Sequence, residues 1–523
     1  MPTFAAIDIG SNSCRLKIAS VVQHRLKTLH EDRELTRLGA SVFESGVISP
    51  EAMADTVRAL KRFHKAVQLH VVDKVRVVAT SASRDARNAA AFLEWVKSAT
   101  GWEVEVISGL EEGRLIHLGV VQQEPGAKGK VLLIDLGGGS CEVTYSDGGR
   151  IREMVSLPLG AVRLQQEFLR HDPPLKEDMG RLKQFIEREL DRGAKQLGRP
   201  KVGLVIATSG TAAALAEASG VMSAGLPVKK QGLKAMPRRF VRVKLQEAST
   251  GEVRKLANKL AKLTNAQREA VPGIGPKRSD IIIGGAEVYA RLLERMGLAG
   301  FRYSPLGLRD GMLAQMLGEV DLRGGVHRQI ESERWEAVLE VAHRYGIDLK
   351  KAEPVRAHAV QLFDALQQVH DLPASYRLWL QAAAILQEVG KFMSHQGHHR
   401  HTQYIIANSE IFGFSPEQRR IVADIARYLG KSRPEPTDRM LRSLSIDEQQ
   451  RVGRAVVLLR LAVALNQDRA SAVLGLKTSV YPKRVVLDLV PGRGGAELEA
   501  WAVKKEAAYF REVFRRELFV DVE

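Results

Sequence analysis

An aspartate that ends an apolar strand and opens onto a run of small residues occurs twice in this chain. Ile7-Asp8-Ile9-Gly10-Ser11-Asn12-Ser13-Cys14 aligns with Ile134-Asp135-Leu136-Gly137-Gly138-Gly139-Ser140-Cys141, identical at Ile, Asp, Gly, Ser and Cys. Glycines leave no Cβ atom in the way of an anion, and the successive N–H groups of such a turn can converge on phosphate oxygens. Asp135, at the mouth of the second turn, adds a carboxylate suited to Mg²⁺ rather than to phosphate. A Gly-rich strand end is by itself an ordinary hairpin turn. Its recurrence with Asp in place predicts a duplicated lobe, with two phosphate loops facing each other across a cleft.

Three further stretches carry chemistry. Ala79-Thr-Ser-Ala-Ser-Arg-Asp-Ala-Arg-Asn88 puts two arginines among hydroxyls at the end of a short strand, Lys74 to Ala79; Arg84 is the better phosphate ligand and Arg87 the poorer. Gly109-Leu-Glu-Glu-Gly113 follows Ser108, which caps a helix whose first turn holds Glu111 and Glu112. Adjacent helical residues point in different directions, so one carboxylate can reach a cleft, where it would orient and deprotonate an attacking water, while the other faces solvent. Thr208-Ser209-Gly210-Thr211, where the strand Lys201 to Ala207 runs into a helix, reads either as an anion site at a helix N-terminus or as a plain helix cap.

The elements that hold these residues are legible in part. Phe4 to Ile9 and Ser13 to Val22 read as strands. Ser49-Pro50-Glu51 opens a helix running to Leu69, and Ala89 to Thr100 is another helix. Gln122 to Gly129, with Pro125 and two glycines, marks the crossing between lobes. The second lobe repeats the first, adding a long polar helix near Lys176 to Gln196. The segment Pro272 to Gly285 feeds an apolar helix with Arg278 and Asp280 placed to pair, and a last helix covers Met312 to Leu317. From Arg328 to Gln467 most segments are helical in period, with loops at Gly397, Gly413 and Lys431 to Pro436. The tail from Thr478 alternates through Arg484 to Leu489 and ends in a helix near Lys505 to Glu517.

The chain has 523 residues, enough for about three or four domains. Its two cysteines, Cys14 and Cys141, read as small buried apolar residues beside the loops. No basic leader with an apolar core and no spanning run is visible, which predicts a cytoplasmic protein without a membrane segment. A formal charge of +17 concentrates polyanions, with nucleic acid or another polyphosphorylated anion as candidates. Lys229 to Lys244 holds seven basic residues and no acid, as an anion path or a solvated flap. His395-Gln-Gly-His-His-Arg-His401 lacks the carboxylates that would favour a metal site.

Taken jointly and in order, Asp8 to Ser13, Ala79 to Arg84, Ile107 to Glu112, Asp135 to Ser140, Ser209 to Thr211 and Arg278 to Gly285 resemble the exopolyphosphatase and guanosine pentaphosphate phosphohydrolase family. The resemblance implies an α/β fold of two actin-like, ribonuclease H-like lobes with a central cleft. Residues 1–125 and 126–318 would form the lobes, 319–475 a helical domain similar to HD phosphohydrolases, and 476–523 a small α+β domain. It further implies Glu112 as base for the lytic water, with Arg84 neutralising charge at the reacting phosphoryl group. Asp135 and Glu142 would hold Mg²⁺ or another divalent cation, with Asp8 a weaker candidate. The phosphoryl group would be cradled by Ser11, Asn12, Ser13, Gly137, Gly138, Gly139 and Ser140, with Ser209, Gly210 and Thr211 nearby. The substrate would be inorganic polyphosphate or guanosine pentaphosphate, the latter tying the protein to the stringent response, and nucleic acid is then not expected. A non-catalytic polyanion-binding regulator is the third reading. In the helical domain Gln387-Glu388 stands where a working HD site has His-Asp. That marks a lost metal site retained for substrate binding or homodimer contacts.

Overall fold

A computed structural model describes residues 2–198, 200–223, 247–321, 324–430, 432–435, 438, 440–467, 473–492 and 495–522. The basic segment Lys229 to Lys244 lies outside the described residues. The chain divides into two compact units, at Gln329/Ile330.

The first unit is built on two sheets with one plan. Strands β1 (Thr3–Ile9), β2 (Cys14–Val22), β3 (Arg25–Glu34), β4 (Lys74–Ala79) and β5 (Val104–Val106) lie in the order β3-β2-β1-β4-β5. The second sheet, of β6 (Val131–Leu136), β7 (Cys141–Asp147), β8 (Arg150–Leu157), β9 (Leu204–Thr208), β10 (Glu247–Ser249) and β11 (Gly300–Tyr303), runs β10-β11-β9-β6-β7-β8. In each, an antiparallel three-strand meander is followed by parallel strands added on the side of its first member, and in the second sheet β10 closes that edge antiparallel to β11. These are the two actin-like lobes. The central strands β1 and β6 are almost wholly buried, which is why they read as unbroken apolar runs. Cys14 and Cys141 are buried free thiols at equivalent positions, paired with Ile9 and Leu136.

The helices Pro50–Leu69 and Ala89–Thr100 have the bounds read from the sequence. Ser49 caps the first by accepting from the N–H of Ala52 at 3.2 Å. Strand β3 was not expected: it is a sheet edge with mostly exposed side chains, so it carries no apolar alternation to detect. The helix Gly109–Gln123 is seated closely on the helix Leu308–Val320. A Cβ on Gly311 would lie 1.7 Å from the Leu115 carbonyl oxygen, and one on Gly119 would lie 2.6 Å from the Gly311 nitrogen. Only glycine permits that approach, and it fixes where Glu112 is presented.

The second unit has a core of helices, among them Leu349–Ala365, Ser375–Leu386, His398–Asn408, Pro416–Arg427 and Ile446–Ala464. It ends in β12 (Val473–Val480), β13 (Arg484–Pro491), the helix Glu497–Phe514 and β14 (Glu517–Val522), in the sheet order β12-β13-β14. The last helix starts earlier than its charged stretch suggests and stops at Arg515 (φ 57°), freeing the parallel strand β14 that the sequence reading left out. Among the described residues, no helix is long and apolar enough to cross a membrane.

Candidate active site

Both phosphate-type loops are pinned from behind. In the second lobe the N–H of Ala161 donates to the Gly137 carbonyl at 3.0 Å, those of Val162 and Arg163 to Gly138 at 2.8 and 3.1 Å, and Arg163 Nε to Gly139 at 2.9 Å. A trans peptide sets each C=O opposite the next N–H. The N–H groups of Gly138, Gly139 and Ser140 are thereby turned away from that helix, and among the described residues none donates to a protein acceptor. The first lobe uses the same device. Gly39 N–H donates to Ser11 O at 2.8 Å and Arg37 N–H to Asn12 O at 3.1 Å, which turns the N–H groups of Asn12 and Ser13 the other way. The pinning segments are themselves a repeat, Leu38-Gly39-Ala40 and Leu159-Gly160-Ala161, a signal present in the sequence and not used in reading it.

Ser11, Asn12, Ser13, Gly137, Gly138, Gly139 and Ser140 line one cavity of about 300 Å³, together with Asp8, Glu112, Asp135, Ser209 and Gly210. Cross-strand register separates the two aspartates. Asp135 lies opposite Glu142, whereas Asp8 lies opposite Arg15. One carboxylate oxygen each from Glu112, Asp135 and Glu142 falls within 4.8 Å of the others, all three residues buried. Asp8, expected as a weaker metal ligand, lines the cavity but stands outside this group.

Burial, and then the Glu142 charge, hold the Glu112 carboxyl well above the usual carboxylate range. Burial and Asp135 push Glu142 up to about 7, and burial raises Asp135 too. Glu142 Oε1 accepts from Ser156 Oγ at 2.8 Å, while its Oε2 is buried with no hydrogen-bond partner. Thr208 Oγ1 donates to Asp135 Oδ1. Three crowded carboxylates with an orphaned oxygen need protons or a cation, and an all-oxygen donor set fits a hard divalent ion such as Mg²⁺. Arg84 reaches Glu112 Oε2 at 3.3 Å through Nη1, which also donates to Ile107 O at 2.6 Å. Arg87 instead donates to Ser45 O. Of the acidic pair, Glu112 meets the cleft. Glu111 does not face open solvent as expected but is held by Arg114 at 2.8 and 2.9 Å.

Four arginines that were not among the expected site residues complete the cavity: Arg15, Arg33, Arg309 and Arg278, the last of which opens one of the motifs. Arg15 pairs in register with Asp8 on one side and Arg33 on the other, so a basic row runs across the sheet from the loops to the edge strand. Among the described residues none of the four has an ion-pair partner. Burial, reinforced by neighbouring arginines, lowers Arg278 to about 10, while Arg33 on the edge strand is exposed. Arg278 does not pair with Asp280 as its spacing suggested; Asp280 pairs with Arg37 at 3.1 Å, and the Arg278 guanidinium lies over Gly210. Ser209 (φ 70°) is held in the left-handed region by donating to Leu136 O at 2.6 Å. Thr211, expected near the anion, is buried against Gly285 and is not part of the lining.

The Ppx/GppA phosphatase family model matches residues 17–320, and that of Ppx/GppA phosphatase domain III matches residues 334–490. The chain belongs to the Ppx/GppA phosphatase family. A solved Aquifex aeolicus member is 30% identical, covering 62% of this chain and 99% of that one, with a TM-score of 0.49. An exopolyphosphatase from Cytophaga hutchinsonii is 26% identical, covering 60% and 97%, with a TM-score of 0.53. An exopolyphosphatase-like protein is 27% identical, covering 60% and 96%, also at 0.53. As a Ppx/GppA phosphatase this chain is a hydrolase, and the buried acidic cluster is its candidate cation site.

In the second unit Gln387 and Glu388 line a separate cavity of about 150 Å³ with Asp348, Lys351 and Asn466. His398 and His399, from the histidine-rich stretch, have ring centroids 3.8 Å apart at the start of their helix.

Proposed function

We propose that this Ppx/GppA phosphatase is an exopolyphosphatase, hydrolysing the terminal phosphoanhydride bond of inorganic polyphosphate. The observation that carries the reading is the arginine row of Arg15, Arg33, Arg278 and Arg309 opening off the two loops. Three half-buried arginines and the exposed Arg33, none of them ion-paired among the described residues, suit an extended anion longer than one phosphoryl group. The terminal phosphoryl group would be held by the N–H groups of Asn12 and Ser13 on one side and of Gly138, Gly139 and Ser140 on the other. Glu112 takes a proton from water as its oxygen forms the new bond to phosphorus. The bridging P–O bond breaks in line, its electron pair leaves with the shortened chain, and orthophosphate is released. A divalent cation held by Asp135 and Glu142 would supply charge neutralisation for the phosphoryl oxygens. Arg84 restrains Glu112 and offsets charge beside it.

Guanosine pentaphosphate 5′-phosphohydrolysis is the second reading, favoured by an apolar side of the same cavity at Tyr303, Pro305, Leu306 and Leu308 that a nucleoside could cover. Phosphate release from long-chain polyphosphate and from guanosine pentaphosphate, compared as kcat/KM, separates them. The expected result is a preference of tenfold or more for polyphosphate that falls toward unity in Arg33→Ala and Arg278→Ala proteins. A wild-type preference for the nucleotide would overturn the first reading in favour of the second.

A further inference from the structure

Arg163 lies outside the cavity lining, yet its guanidinium touches both lobes. Nε donates to the Gly139 carbonyl at 2.9 Å in the second lobe. Nη2 reaches Ser81 Oγ at 3.3 Å and pairs with Asp85, and the guanidinium carbon sits 4.2 Å from the Phe43 ring centroid, all in the first lobe. Nη1 lies 3.5 Å from Glu167. Counted from the Leu-Gly-Ala repeat, the first-lobe counterpart of Arg163 is Val42, so this device serves the second loop only.

We infer that Arg163 is a positioning residue for phosphoryl transfer: it aims the Ser140 N–H into the cleft and fixes the separation of the two loops. The inference rests on the reading of the cleft as a phosphoryl site. The carbonyls of Gly137 and Gly138 are held by backbone donors that any residue supplies, whereas that of Gly139 is held by a side chain alone. Without it, the peptide between Gly139 and Ser140, flanked by a residue free of side-chain restraint, can rotate and withdraw one of the converging donors. The planar fork of arginine meets a carbonyl, a hydroxyl and a carboxylate at once, which a lysine ammonium on a flexible stem cannot do. The loop is therefore ordered only while the first lobe lies against it. Donor alignment and lobe closure depend on one side chain.

The test uses the full-length protein and its Arg163→Lys and Arg163→Ala variants. Steady-state hydrolysis of polyphosphate is expected to show kcat lower by about 10–100-fold in both variants, with KM within about threefold of wild type. Amide hydrogen exchange over residues 137–140 gives a readout independent of turnover. Millimolar orthophosphate should slow exchange in the wild-type loop and not in either variant, while melting temperatures stay within a few degrees. Wild-type kcat in both variants, or a loss of activity that follows the melting temperature with phosphate protection intact, would overturn the inference. If orthophosphate leaves the wild-type loop unprotected, the reading of the cleft itself falls and this inference falls with it, so the two failures are told apart by the wild-type experiment.

Discussion

Glu112→Gln is expected to lower kcat by about 10²–10⁴-fold, the range associated with losing a positioned general base. The substitution keeps the shape of the side chain and removes its charge and basicity. Glu112 is suited to the role because burial and the nearby Glu142 raise its proton affinity, while Arg84 at 3.3 Å holds it in place. The same crowding means that the neutral amide relieves repulsion within the acidic cluster, so the variant should fold with an unchanged or raised melting temperature in the absence of divalent ions. Phosphate release under saturating polyphosphate, read beside a thermal unfolding curve, checks both statements. A variant with wild-type kcat and a raised KM would move Glu112 from catalysis to binding.

Gly160→Ala is expected to reduce kcat/KM by about 10²-fold through a purely steric route. An added Cβ would lie 2.2 Å from the Gly139 carbonyl carbon, 2.3 Å from the Gly139 nitrogen and 2.4 Å from the Gly138 carbonyl carbon, all backbone atoms of the phosphate loop. At φ −72° and ψ 147° alanine suffers no conformational penalty at this position, so the loop has to move instead. Overpacking of this kind costs about 1–3 kcal/mol of stability. Gly180→Ala is the control: that glycine lies inside the helix Lys176–Leu197 with nothing within 4 Å of the added carbon, and alanine there should stabilise by about 0.5–1 kcal/mol with full activity. Parallel kinetics and denaturant titrations of the two variants distinguish a displaced loop from a general loss of folding.

The loops, Asp135 and the capped helix bearing Glu112 could be read from the sequence because their signals are local: glycine spacing, an aspartate at a strand end, a serine before two glutamates. The difference between the lobes lay just past that signal. The aligned octets end at Cys14 and Cys141, and the next residues, Arg15 and Glu142, decide which aspartate joins the acidic cluster. The arginine row was hidden for a topological reason, since positions 15, 33, 278 and 309 meet only once the meander, the turn before the helix Ile282–Arg295 and the helix Leu308–Val320 are folded together. Thr211 illustrates the opposite error. Its motif is real, but the helix phase that brings Ser209 and Gly210 to the cleft sends the next residue into packing against Gly285.

The central claim is that Asp135 and Glu142, crowded by the buried Glu112, form one divalent-cation centre whose carboxyls hold protons when the ion is absent. Raised carboxyl values mean that the ion-free native state binds more protons than the unfolded chain. The stabilisation this gives is complete below the ordinary carboxylate range and is lost as pH rises through about 7 for Glu142. Calorimetric titration of Mg²⁺ or Mn²⁺ into the ion-free protein at pH 6–7, repeated in buffers of different ionisation enthalpy, measures ion affinity and proton release together. The account predicts one high-affinity site releasing about one proton, weaker at lower pH and lost in Asp135→Asn. Binding without proton release, at an affinity unchanged by Asp135→Asn, would contradict it.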